Sequence, residues 1–164
     1  MKQGSRFSST KWIHFENKNI IITDPCYIIR DTENWHANGN DWDACDMGFN
    51  MEALGIKNYL THDTIYGDWS CTTYNSDTDE EIGEFCADAG LVSIFDLDEV
   101  LKYNPDFDYH INRKWTTTLI ENFTGNVRIK VTNNGNDSEW DMLNYDVQVE
   151  GIGNINFITN QTGL

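Results

Sequence analysis

Asp24-Pro25-Cys26-Tyr27 places a carboxylate, a thiol and a phenol within four consecutive residues. The segment follows an apolar run, and loops at strand ends present side chains from a rigid scaffold. Two chemistries suit it. Cys26 is a candidate nucleophile, which requires a base beside it. Asp24 is a candidate acid/base group or ligand for a hard metal. The four histidines, His14, His36, His62 and His110, are not placed beside Cys26 by any spacing. The simpler account makes Asp24 the acceptor of an Asx turn ahead of Pro25 and leaves Cys26 in the core.

Two further segments carry similar promise. Tyr66-Gly67-Asp68-Trp69 is a tight turn with an aromatic residue on each side, suited to stacking on a planar ligand. Asp88-Ala89-Gly90 sets a carboxylate beside a small-residue kink in an apolar run. If Asp24, Asp68 and Asp88 converged, they would supply the oxygen ligands of a metal-dependent hydrolase. Arg30, Arg113 and Lys114 are candidate partners for an anionic ligand, and Tyr27 completes the first segment. Arg128 and Lys130 are better read as cross-strand partners of Asp146 and Glu150, each such pair being worth ~0.2–1 kcal/mol. Glycine-rich phosphate loops, zinc-protease and serine-hydrolase signatures do not occur in the sequence.

These segments need elements to hold them. Lys11–Phe15 and Asn19–Thr23 alternate or run apolar and read as a hairpin around Asn17-Lys18-Asn19. Asp41–Leu54 has the spacing of a helix, with Gly55 beyond its end. Residues 58–66 and 69–74 read as strands. Glu84–Phe95 reads as a strand broken at Ala89-Gly90. Asp96–Tyr103 reads as a short helix, with Asp96 as N-cap, Glu99 completing a capping box and Pro105 beyond the end. Four strand-like runs follow: Trp115–Glu121, Asn126–Thr132, Asn144–Glu150 and Asn154–Thr159. Turn signals at Thr124-Gly125, Asn133-Asn134-Gly135 and Gly151-Ile152-Gly153 separate them, as in a meander with one wet face.

Charge narrows the function. The 164 residues hold 11 basic and 27 acidic side chains, a net charge of −16. A generic nucleic-acid binder needs a basic footprint and is excluded on this ground. Residues 31–101 contain 17 acidic residues and one basic residue, Lys57, so one region of the chain carries the whole net charge. The densest run, Asp77-Thr78-Asp79-Glu80-Glu81, reads as an exposed loop. It serves solubility or docks on a basic protein surface, and it lacks the spacing of a calcium loop. The four cysteines form no close pairs, which argues against zinc and for reduced thiols. No run approaches the ~18 apolar residues of a membrane span.

Asp24-Pro25-Cys26-Tyr27, Tyr66-Gly67-Asp68 and Asp88-Ala89-Gly90 occur in that order, and in this the chain resembles a loose group of small proteins from phages and bacterial mobile elements. The group carries a D-P-C-Y segment, a G-D-G-type turn and a V-D-A/S-G segment. The chain departs from it at Trp69 and Ala87. The resemblance covers about residues 20–95. It implies a phage setting and a compact β-rich fold, and it assigns no catalytic residue.

The expected fold is α+β: a mostly antiparallel sheet or sandwich with a C-terminal meander and two short helices. Residues 1–10 are expected as a flexible arm and residues 11–164 as one globular domain. The expected function is that of a non-enzymatic, cytoplasmic binding protein, needing no cofactor, that antagonises host defence. Its ligand site would be drawn from Asp24, Cys26, Tyr27, Arg30, Tyr66, Asp68, Trp69, Asp88, Arg113 and Lys114. Its partner would be a small nucleotide-like ligand or a basic host protein, and a homo-oligomer is compatible with the sequence. The alternatives are an acidic nucleic-acid mimic and the metal-dependent hydrolase.

Overall fold

The computed structural model describes residues 6–28, 51–63, 69–75, 77–87, 90–109, 114–137 and 142–151. The fold is β-rich α+β with antiparallel strand pairing. The strands are β1 (Arg6–Ser9), β2 (Ile13–Thr23), β3 (Tyr59–Asp63), β4 (Trp69–Asn75), β5 (Glu80–Ala87), β6 (Leu91–Asp96), β7 (Thr118–Asp137) and β8 (Met142–Gly151). Among the described residues there is one α-helix, α1 (Leu97–Tyr103). The main sheet runs β1-β7-β2-β6-β3, with β8 also paired to β7, and β4 and β5 form a separate two-stranded sheet.

The run Ile20-Ile21-Ile22 explains the layering. All three side chains are fully buried, which an amphipathic strand cannot achieve. Ile20 and Ile22 enter a core shared with β3, β5, β6, β7 and β8. Ile21 points to the opposite face, where it packs with Ile28, Met51, Ile56, Phe95 and Val100. β6 is buried throughout for the same reason. Covering both faces with apolar side chains stabilises by roughly 1.5–3 kcal/mol for each Ile, Leu or Phe buried.

Several sequence expectations need correction. The hairpin at Asn17-Lys18-Asn19 does not form, because β2 runs straight through it. Likewise β7 is one 20-residue strand that takes in Thr118–Glu121 of the first expected strand and all of the second, Asn126–Thr132, while Trp115–Thr117 precede it. The two supposed turns face each other across the β2–β7 ladder as irregularities in register. Asn17 and Asn122 take positive φ there. The N–H groups displaced from the ladder are met by side chains, Asn17 N–H donating to Thr124 Oγ1 and Asn122 N–H to Asn19 Oδ1. Turn-forming residues thus bend two continuous strands instead of ending them. Asn133-Asn134-Gly135 acts in the same way, as a register shift between β7 and β8.

Residues 6–9, expected in the arm, form β1 and pair with Asn133–Lys130 of β7. The sheet coils far enough for Ser8 on β1 to meet His62 on β3, Oγ to Nε2 at 2.8 Å. Of the expected Asp41–Leu54 helix, residues 41–50 lie outside the described residues, and Met51–Leu54 is a 3-10 turn. The expected strand Asn154–Thr159 also lies outside them. The acidic run caps the β4–β5 hairpin, and residues 77–81 are all exposed.

Helix α1 starts as its sequence directs. Asp96 Oδ1 accepts from the Asp98 N–H at 2.9 Å, and Asp96 has the extended backbone of an N-cap. Glu99 does not complete the capping box. Its Oε1 instead accepts from the N–H groups of Lys57 and Asn58, at 3.1 and 3.0 Å. That carboxylate ties the segment ahead of β3 to the helix.

Candidate functional site

The D-P-C-Y segment ends β2. Asp24 is completely buried. Its Oδ1 accepts from the Cys26 N–H at 3.0 Å, and its Oδ2 accepts from the Leu91 N–H at 3.2 Å. Pro25 opens the 3-10 turn Pro25–Tyr27, where its missing N–H costs nothing. Cys26 is half-buried and packs against the helix-side core. Tyr27 Oη donates to Cys86 Sγ at 3.3 Å.

The first segment therefore reaches Leu91, the residue after Gly90. Of the second segment, the Trp69 backbone lies opposite Ala87 at the end of the β4–β5 ladder. Cys86 N–H also donates to Thr116 O at 3.1 Å, which brings the Lys114–Thr116 turn alongside. Lys114 Nζ lies 5.0 Å from the centre of the Trp115 ring, and Trp115 is 62% exposed. Arg30, Tyr66, Asp68, Asp88 and Arg113 lie outside the described residues, as does the side chain of Trp69.

The chemistry of this end is structural where it is described. Both Asp24 oxygens accept backbone N–H groups, one from its own turn and one from a neighbouring strand. The carboxylate thus clamps the end of β2 to the start of β6. Burial pushes the Cys71 thiol up to about 12, so it stays protonated at neutral pH and packs as a small apolar group. Among the described residues, no group of three His, Cys, Asp or Glu side chains is placed to hold a metal ion. Arg128 and Lys130 both pair with Glu150, at 2.7 and 3.6 Å. Arg128 also stacks on Trp12, 4.7 Å from the ring centre.

A groove of about 600 Å³ lies elsewhere, between β2, the Leu54–Asn58 segment and α1. Drug- and cofactor-sized ligands occupy pockets of ≈ 300–1,000 Å³. Three lysines from three separate segments line it: Lys18, Lys57 and Lys102. Three carboxylates line it too, and two of them are engaged by the fold. Asp96, with its side chain only 4% exposed, caps α1 and lies 3.8 Å from Lys18 Nζ. Burial pushes its carboxyl above the usual range, while the Asp98 N–H and the Lys18 ammonium pull it down. Glu99 holds the Lys57 and Asn58 N–H groups. The exposed ammonium groups of Lys57 and Lys102 pair with no carboxylate among the described residues.

None of the groove residues was among the ten sequence candidates. One signal pointed to it: Lys57 is the single basic residue in the acidic 31–101 stretch. The rest depends on the register irregularity around Lys18 in β2 and on the contact of Lys18 with Asp96 at the start of α1. Among the described residues no helix is long and apolar enough to cross a membrane. No family model, no curated protein and no solved structure matches this chain.

Proposed function

We propose that this protein binds a small anionic, nucleotide-like ligand in the groove between β2 and α1 and holds it without converting it. The observation that carries the reading is the placement of Lys57 and Lys102. In a chain with 27 acidic and 11 basic side chains, a lysine is rarely far from a carboxylate. Two lysines that line one groove and pair with no carboxylate among the described residues are an arrangement that a bound anion completes. Lys18 adds a third positive charge, held against the buried Asp96. In the phage setting that the motif resemblance implies, such a binder removes a nucleotide signal from circulation in the host cytoplasm.

A thermal-shift panel of nucleotides, cyclic dinucleotides, ADP-ribose derivatives and inorganic pyrophosphate tests the proposal. A ligand at ~100 times its Kd stabilises the fold by about 2.7 kcal/mol. The proposal expects such a shift from one class of phosphorylated compound, its loss in Lys57→Glu and Lys102→Glu, and recovery of the ligand intact. A shift that survives both substitutions contradicts it.

The exposed hairpin tip supports a second reading, the masking of a basic host protein or the mimicry of nucleic acid. Asp77, Asp79, Glu80 and Glu81 project into solvent where β4 and β5 join. Binding of that kind weakens steeply as salt shortens the Debye length to ≈ 8 Å and below. Capture of a basic partner that is lost on replacing these four residues with Asn and Gln supports this reading over the groove.

A further inference from the structure

The charges along α1 say more about the ligand than its sign. Asp98 and Lys102 stand one helical turn apart, roughly 6 Å between Cβ atoms. Both line the groove. At this spacing an acid and a base readily pair, yet these two side chains form no ion pair. Of the neighbouring acids, Asp96 accepts a backbone N–H with Oδ1 and faces Lys18 with Oδ2, and Glu99 accepts two backbone N–H groups with Oε1. The Asp98 carboxylate is exposed and has no hydrogen-bond partner among the described residues. Among the described residues, the groove wall therefore offers an open acceptor one turn from an open cation, and Lys57 lines the same groove.

A ligand that satisfies both carries hydrogen-bond donors about one helical turn from its anionic group. A ribose ring bearing a phosphate has this form. Its cis-diol presents two O–H donors, and an ionised carboxylate accepts from both. The phosphate sits on the same sugar, and Lys102 and Lys57 line the same groove. Tyr103, the next residue of the helix, also lines the groove.

We infer that the groove selects ribonucleotides over deoxynucleotides, with Asp98 reading the ribose diol while Lys57 and Lys102 hold the phosphate. This inference rests on the anion-binding reading of the groove, and its test separates the two. Calorimetric titrations of the full chain would compare AMP, 2′,3′-dideoxy-AMP and inorganic pyrophosphate. The inference expects AMP to bind at least about tenfold more tightly than the dideoxy compound, since hydrogen bonds to a charged acceptor are the stronger kind. In Asp98→Ala the gap closes while pyrophosphate affinity is kept or rises, and in Asp98→Glu part of the gap returns. Equal binding of AMP and the dideoxy compound by the native protein overturns the ribose assignment and leaves the anion site standing. A gap that persists in Asp98→Ala does the same. No binding of any of the three compounds removes the groove reading itself, and this inference with it.

Discussion

Asp24 Oδ2 accepts the backbone N–H of Leu91 across 67 residues of chain, at 3.2 Å and out of contact with water. The same carboxylate holds the Cys26 N–H with its other oxygen. One side chain thus shapes a turn and joins two strands. Removing it leaves buried donors without acceptors, at ≈ 1–3 kcal/mol each. Asp24→Ala is expected to lower stability by about 2–4 kcal/mol in urea unfolding, and Asp24→Asn by less, since one acceptor oxygen remains. A neutral Asp24→Ala would show that the clamp is not what holds β2 against β6.

Gly83 is required for space. A methyl group built there would lie 2.9 Å from Thr118 Oγ1 and 3.1 Å from its Cγ2. Thr118 has no room to yield, because its hydroxyl lies 2.7 Å from Thr73 Oγ1 and donates to Glu84 O at 2.8 Å. Overpacking of this kind costs typically 1–3 kcal/mol. Gly83→Ala is expected to destabilise by about that amount. The double variant Gly83→Ala with Thr118→Ala is expected to lose less than the two single losses added together. Simple additivity in the double-mutant cycle would mean that the two residues do not meet.

His14 reports on the exposed face of β2. Its pKa is raised above 6.5, first by the hydrogen bond to Glu16 and then by that to Asn126. A raised value in the folded state means that the protonated form is favoured by folding. The stability from this contact is therefore full below pH 6.5 and is lost as pH rises through the raised midpoint. An NMR titration of the His14 ring is expected to give a midpoint above 6.5, falling toward it in Glu16→Gln. An unchanged midpoint in the variant would remove Glu16 as the cause.

Glu99 ties one wall of the groove to the other through the Lys57 and Asn58 N–H groups. Glu99→Ala is expected to cost roughly 1–2 kcal/mol in stability, because both donors are exposed enough to find water. Its effect on ligand affinity is expected to be larger, since Lys57 loses its fixed position opposite α1. Calorimetry beside urea unfolding separates the two. A variant that loses stability and keeps its affinity would show that Lys57 does not need the tether.

The sequence disclosed the elements better than their junctions. The cap at Asp96 and the break between β5 and β6 were legible because they depend on local chemistry: a carboxylate in reach of N–H groups, and glycine at positive φ at Gly90. The β2–β7 ladder was misread because Asn17, Asn122 and Gly125 carry the same signals in a bulge as in a turn. Only the partner strand decides between them. The groove was illegible for a related reason. Lys18, Lys57 and Lys102 are far apart in sequence, and what unites them is the Lys18–Asp96 contact and the Glu99 tether. Among the ten residues first singled out, Asp24 was visible as chemistry, and its position shows it serving the fold.

The most direct test of the groove is a map of amide NMR shifts as AMP is added to the full chain. The account predicts that the largest changes fall on Lys18, Leu54–Asn58 and Asp96–Tyr103, and that they disappear in the Lys57→Glu, Lys102→Glu double variant. Changes centred on Asp24–Tyr27, Cys86 and Lys114–Thr116 instead would contradict it and return the ligand site to the end of β2.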